Sequence, residues 1–442
     1  MNNPQLIFYI IFLCEFLKLT NNAFYLKLLY KKQLYQRCRS AGDKKINKFV
    51  ILSNIKLGNL QSNDFELLIT LLQKLPFKDA YEIARALMPF QPEMGLRMLE
   101  HLNVSNDYML LCKAYFNPYD ACKNSLEEIL KRKPLSIFNL YNYYHETNLS
   151  NGEKILNQYY FNKNLLCVEK KNELLPLYID NVGVLTKVNN SNDHGKISII
   201  ISAKNEEKLI AHSVESIINQ SYKNIEIIFI NDGSVDKTQD IFQFVCRKNN
   251  FSDFHIITLK KSKGPFYCRN LGLEKANGDF ITFHDADDWA HPQRLELQLK
   301  AVIDSKAIAS MSEMIRVNSS GKLFSKVIYP INQICMASLL FRAEIIKILG
   351  YFYTDLLGAD SEYKERILLF YGRKRFVRVP LVLTFSAHRK NSRTTCTEYG
   401  VPEFGINKRR VADYEALMMR LYQTIKKERN YYVNFSYDQA AV

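Results

Sequence analysis

The sequence is poor in the features that mark several protein classes. Its nine cysteines, Cys14, Cys38, Cys112, Cys122, Cys167, Cys246, Cys268, Cys335 and Cys396, are scattered, odd in number and form no Cys-x-x-Cys pair. That argues against a disulfide framework and a zinc site, and for a reducing cytoplasm. The apolar stretch Leu6 to Leu13 is followed by Glu15 and Lys18 and is too short to span a bilayer. It also lacks a basic leader and a small-residue cleavage site, so a buried or interfacial first helix is expected rather than a signal peptide. Acidic residues are outnumbered, 45 against 60 basic ones, for a net charge of +15. Solubility accounts for most of that excess. Attraction to nucleotide diphosphates, acidic glycans, nucleic acid or an anionic bilayer is the functional alternative. No nucleic-acid motif accompanies the charge, so nucleic acid is not an expected partner.

What is present divides in two. The 442 residues, 47% of them hydrophobic, are enough for two or three globular domains. Up to about residue 190 the pattern is helical and has few glycines. Phe65 to Leu72 has apolar residues at helical spacing, and further helices are expected over Ala80 to Met88, Glu93 to Leu102, Asp107 to Tyr115 and Ser125 to Lys131. Pro76, Pro89, Pro118 and Pro134 punctuate them, which suggests stacked helical hairpins without a legible repeat consensus. His101 and His145 are isolated, and no chemistry is expected in this half. The polar run Asn189 to Gly195 reads as a linker.

Beyond it the period changes from helix to strand. Ile197 to Ser202, Ile225 to Ile230, Phe254 to Leu259 and Asp279 to Phe283 read as buried strands, with helices from about Glu207, Asp236 and Gly264 between them. Strands alternating with helices build a mostly parallel sheet whose ligands sit at the strands' carboxyl ends. Asn205-Glu206, Asn231-Asp232-Gly233-Ser234 and Asp285-Ala286-Asp287 all fall at such ends. Two close carboxylates suit a hard divalent cation, Mg²⁺ or Mn²⁺, which in turn grips diphosphates. Asp232 suits a base or ribose, while Ser234 and Asp236 suit helix capping. Asp288 is expected to cap the helix after Pro292. Arg269 reads either as a phosphate contact or as a surface arginine.

These pieces resemble family 2 glycosyltransferases. The resemblance is carried by Ser198-Ile-Ile-Ile-Ser-Ala-Lys-Asn-Glu-Glu207, Gln220-Ser221-Tyr222, Asn231-Asp-Gly-Ser-Val-Asp-Lys-Thr238, Lys263-Gly264, Arg269-Asn270-Leu271-Gly272, Ala276 to Asp279 and Asp285 to Trp289. They run in order over about 100 residues. The resemblance implies an α/β GT-A domain over 195–395, preceded by an all-α helical-hairpin domain over 1–190 and followed by a basic helical tail over 396–442. It further implies a metal-dependent, inverting transfer from a nucleotide sugar, a UDP-sugar above all, to a glycan or lipid-linked acceptor in capsule or lipopolysaccharide assembly. The absence of a long apolar C-terminal span argues against a processive membrane synthase.

On this resemblance Ser202, Asn205, Glu206, Asp232, Lys263, Arg269, Asp285 and Ala286 bind the nucleotide sugar, Glu206 and Asp232 on the nucleoside and Arg269 near the diphosphate. Asp287 is the stronger metal ligand, with Asp285 beside it and His388 of a late loop as a further metal or phosphate contact. The base that takes the acceptor proton lies in Gly358-Ala359-Asp360-Ser361-Glu362, with Asp360 first and Glu362 in reserve. Ala359 replaces the usual first acid of that motif, so both stay open. Ser202 and Lys204 stand where proline and tyrosine are frequent, with little consequence for chemistry. A cytoplasmic protein is expected, and the basic runs Lys408 to Arg410 and Lys426 to Arg429 suit contact with the inner face of the plasma membrane. The alternative from another class is a catalytically silent scaffold that binds partners or polyanions.

Overall fold

The computed structural model describes residues 48–56, 76–88, 91–102, 107–116, 123–147, 152–184, 193–325, 328–355, 357–389, 408–428 and 430–436. The stretches Leu6 to Leu13 and Phe65 to Leu72, the cysteines Cys14, Cys38, Cys122 and Cys396, most of the linker and the loop from Lys390 lie outside the described residues. The chain forms two compact units: 1–156 with 322–331 and 388–416, and 157–321 with 332–387 and 417–442.

The first unit is helical. Helices α1 (Lys48–Lys56), α2 (Phe77–Leu87), α3 (Pro92–His101), α4 (Asp107–Phe116), α5 (Lys123–Arg132) and α6 (Ile137–Glu146) follow one another, and each packs on its neighbour in sequence. In α2 the buried residues Ala80, Ile83, Ala84 and Leu87 recur at helical spacing and form one stripe. They join Leu52, Ile55, Met88, Met98, Leu99 and Cys112 in a single core. The buried amide of Asn142 receives the backbone N–H of Leu323 and donates to its carbonyl, both at 2.8 Å. It thereby ties residues 322–331 to the helices.

The second unit is built on one mixed sheet. Strands β1 (Ile197–Ala203), β2 (Ile225–Asn231), β3 (Phe254–Thr258), β4 (Phe280–Asp285), β5 (Trp289–Ala290), β6 (Ala309–Asn318), β7 (Leu340–Arg342) and β8 (Phe376–His388) lie in the spatial order 3-2-1-4-7-6-8-5. The first four are mutually parallel, whereas β7 runs antiparallel to both β4 and β6. Helices α7 (Ile210–Ile218), α8 (Thr238–Lys248), α9 (Pro265–Lys275), α10 (Arg294–Asp304), the short α11 (Ile345–Leu349), α12 (Ala359–Tyr371) and, from Leu417 on, the last helix α13 (Lys408–Glu428) complete it.

Strand β1 is buried on both faces, which is why it reads as an isoleucine run rather than an alternation. Ile197, Ile199 and Ile201 meet α7, α8 and α10 through Val214, Phe242 and Leu299. Ile200, Ile228, Ile230, Ile281 and Phe283 meet the opposite layer through Leu271, Tyr363 and Ile367. Residues 157–184 pack in this unit as well. Tyr159 Oη accepts the Val382 N–H at 3.0 Å, and Tyr160 stacks on His291 with ring centroids 5.3 Å apart. At the far end of the chain Leu417 is buried in the same core, and Val433 forms a parallel bridge to Gly350. Among the described residues no helix is long and apolar enough to cross a membrane.

Gly350 has φ +67, and a Cβ there would overlap the Val433 carbonyl oxygen. Gly372 has φ +80 and open space around it. Both substitutions to alanine strain the backbone by about 1–3 kcal/mol. Gly350→Ala is expected to lose more because the backbone of Val433 must also move. Thermal melts of the two variants, with Gly350→Ala lower, check this.

Candidate active site

The chain passes from β1 to β2 to β3 on one side, then returns across β1 to β4. A reversal of that kind opens a crevice at the carboxyl ends of the two central strands, and ligands bind there. Pairing between β1 and β4 sets Ser202 opposite Asp285, and pairing between β1 and β2 sets Ala203 opposite Asn231. The three acidic segments singled out in the sequence therefore end on adjacent strands.

The loops after β1 and β2 are bound to each other. Asn205 holds φ +55, its N–H donates to Ser234 Oγ at 3.1 Å, and its side-chain oxygen accepts the Val235 N–H at 2.9 Å. The N–H of half-buried Glu206 donates to Thr238 Oγ1 at 2.7 Å. Asp236 accepts from the N–H and hydroxyl of Thr238 and from the N–H of Glu207. Burial works to raise the Asp236 carboxyl, but the Thr238 and Glu207 hydrogen bonds outweigh it and hold it below its ordinary value. Lys237, not Asp236 or Ser234, is the cap residue of α8; Asp236 forms a turn with Thr238, and Ser234 joins two loops.

Asp232 is 5% exposed and lies at the centre of this arrangement. Its carboxylate accepts from Ser262 Oγ at 2.8 Å, from the Lys263 N–H at 2.6 Å and from the Gly264 N–H at 3.0 Å. The Lys263 contribution is therefore its backbone, while its side chain is exposed. Gly264 sits at φ +92 just before α9, a conformation that suits glycine.

The turn after β4 carries the remaining acids. Asp285 is half-buried and pairs with Arg269 Nη2 at 3.1 Å. Arg269 is itself 7% exposed, with its guanidinium carbon 5.6 Å from the Phe266 ring centroid and 5.1 Å from that of Phe283. It is not the surface arginine that sequence alone allowed. Ala286 turns its methyl into the core, and Asp287 is half-buried. Asp288 does not cap the next helix, whose first turn follows Gln293. Its carboxylate instead accepts the Ala387 N–H of β8 at 3.1 Å. Burial, with Asp287 and Asp285 nearby, pushes its carboxyl well above the usual range.

Beneath the turn lies Arg294, fully buried, donating through Nη1 to the Phe283 carbonyl at 3.3 Å. Burial pushes its guanidinium down to about 10, with Cys335, Asp288 and Asp285 acting in the opposite direction. Sequence reasoning missed this cation because an arginine in a first helical turn carries no motif.

Asp360 opens α12 behind Gly358, which has φ +89. It is half-buried, and its Oδ1 accepts the Ser361 N–H at 2.7 Å. Glu362 is fully buried and paired with equally buried Arg366 through bonds of 2.9 and 2.8 Å. Burial lifts its carboxyl, and Arg366 pulls it partly back down. His388 ends β8 with its ring stacked on Phe324 at 3.9 Å. Among the described residues no cluster of three or more histidine, cysteine or carboxylate side chains could hold a metal by itself.

Comparison with known proteins gives this site its class. Residues 198–354 match Glycosyl transferase family 2. An uncharacterized glycosyltransferase of Haemophilus influenzae is 31% identical over 219 residues, 46% of this chain and 87% of that protein. One from Rickettsia bellii is 36% identical over 132 residues, 30% of this chain but only 19% of its own length. The Escherichia coli UDP-Glc:alpha-D-GlcNAc-diphosphoundecaprenol beta-1,3-glucosyltransferase WfaP is 38% identical over 118 residues, 26% of this chain and 45% of that enzyme. Among solved structures, S. aureus TarS 1-349 in complex with UDP aligns at 20% identity and TM-score 0.37, over 44% of this chain and 60% of that one. That level supports no functional argument. The chain belongs to glycosyl transferase family 2, with a mixed α/β sheet and a helical N-terminal region.

Removing the Asp232 carboxylate strips charged acceptors from the Lys263 and Gly264 amides. Asp232→Ala is expected to cost about 1.5–3 kcal/mol. It is also expected to speed amide exchange at residues 262–264 before it does so elsewhere, as hydrogen-exchange mass spectrometry would register.

Proposed function

We propose that this chain is an inverting, divalent-metal-dependent transferase. It moves a sugar from a UDP-sugar to a glycan or lipid-linked acceptor in surface-polysaccharide assembly, of the capsule or lipopolysaccharide kind. The observation that carries this reading is the register that sets Ser202 beside Asp285 at the switch point, with Asp232 one strand away. The description of WfaP as a UDP-Glc-dependent enzyme acting on a diphosphoundecaprenol-linked sugar supports the choice of donor and acceptor class.

In this reading Asn205, Glu206 and Asp232 frame the nucleoside, and Arg269 and Lys263 meet the diphosphate. Asp285 and Asp287 are hard oxygen donors on one turn, both half-buried. They would hold a divalent cation, Mg²⁺ or Mn²⁺, which prefers such ligands. When bound, the ion supplies positive charge to the departing diphosphate. Asp360 accepts the acceptor's hydroxyl proton. The freed oxygen attacks the anomeric carbon, the bond to the diphosphate breaks, and the nucleoside diphosphate leaves from the opposite face. A single in-line displacement of this kind inverts the anomeric centre. Glu362, sealed with Arg366, is not assigned the proton.

The division into a helical region over 1–190, a catalytic domain over 195–395 and a basic tail from 396 belongs to the same proposal. So does a cytoplasmic enzyme that touches the membrane through the tail's basic runs.

The test is nucleotide release from UDP-, GDP- and CMP-sugars, with Mn²⁺ or with EDTA. Release is expected from a UDP-sugar, with loss in EDTA and in Asp287→Ala. Asp360→Asn is expected to lower turnover about 10²–10⁴-fold, with nucleotide affinity kept. No release from any donor, and no donor-induced rise in melting temperature, would sink the proposal in favour of a silent scaffold.

A further inference from the structure

Asn270 is fully buried on α9, next in sequence to the arginine that pairs with Asp285. Its side-chain amide treats the backbone of Phe352 as a strand would. Nδ2 donates to the Phe352 carbonyl at 2.9 Å, and Oδ1 accepts the Phe352 N–H at 2.9 Å. One helix thus touches the acidic turn through residue 269 and the segment leading to Asp360 through residue 270.

That segment is held from its other side by the buried ion pair. Arg366 donates to the carbonyls of Leu349 and Tyr351, the latter at 2.8 Å, while Glu362 holds the same guanidinium in a two-point grip. Tyr363 Oη donates to the Gly350 carbonyl at 3.1 Å. A surface salt bridge would fix little. This one is sealed, and every donor aimed at the segment meets a backbone acceptor whose position is set by the chain.

We infer that Asn270 and the Glu362–Arg366 pair are positioning residues, which fix the Asp360 segment relative to the Asp285 turn. The inference rests on Asp360 as the base. It gives Glu362 a task other than proton transfer. The consequence is a split in the kinetics. Loosening the clamp displaces the base from the acceptor without touching the groups assigned to the nucleotide, so kcat falls while nucleotide affinity stays.

The experiment compares Asn270→Ala, Glu362→Gln and Asp360→Asn with wild type in kcat, acceptor and donor KM, UDP affinity in Mn²⁺, and melting temperature. Glu362→Gln keeps shape and an acceptor for Arg366, so it answers if Asn270→Ala does not fold. The expected result is a kcat loss of about 10- to 100-fold in Asn270→Ala and a smaller one in Glu362→Gln. UDP affinity is expected within about twofold of wild type for both, and melting above the assay temperature. Wild-type kcat in both variants, or a parallel loss of UDP affinity and kcat, overturns the positioning role. Full turnover in Asp360→Asn instead overturns the assignment of the base, and the two failures are told apart by which variant keeps its rate.

Discussion

The parallel register of β1 between β2 and β4 is the constraint on which the site depends. Slipping any of the three by one residue would exchange its core face for the opposite one. Ile199 and Ile201 would leave one layer, Ile200 the other, and Ser202 would no longer stand opposite Asp285. Apolar burial therefore fixes where the carboxylates end up. The acids need no attraction to each other to converge: Asp285 is paired with Arg269, and Asp288 accepts the Ala387 N–H of β8.

The strands and their acidic ends were legible in the sequence because their signals are local. An isoleucine run closed by Asn-Asp-Gly-Ser has few structural solutions, and a strand ending in two close carboxylates points to a cation. What was not legible depends on partners distant in sequence. Asp288 reads as a cap when only its neighbours are considered, and its true acceptor role needs Ala387, which sequence does not bring near. Arg269 was open between surface and site until Asp285, Phe266 and Phe283 enclosed it. Glu362 looked like a second base because it sits in an acidic motif. Only the burial of Arg366 one turn later shows where its charge is directed.

The Asp232 carboxylate illustrates a cost common to such sites. Three donors from residues 262–264 already satisfy it. Ordering that loop is therefore part of folding rather than of ligand capture, which reduces the entropy that binding must overcome. The mutual anchoring of the loops after β1 and β2, through Asn205 with Ser234 and Val235, Glu206 with Thr238 and Glu207 with Asp236, acts the same way.

The bridge between Gly350 and Val433 couples the segment before Asp360 to a residue made much later. The Tyr351 and Val433 amides exchange hydrogen bonds across it with Val433 and Leu349. On a ribosome the two partners emerge roughly 80 residues apart, a delay of about 4–16 s at ordinary elongation rates. During that interval Leu349 and Tyr351 lack the backbone partners that Val433 later supplies. Synthesis thus completes the Gly350–Val433 bridge only after every strand of the sheet has been made.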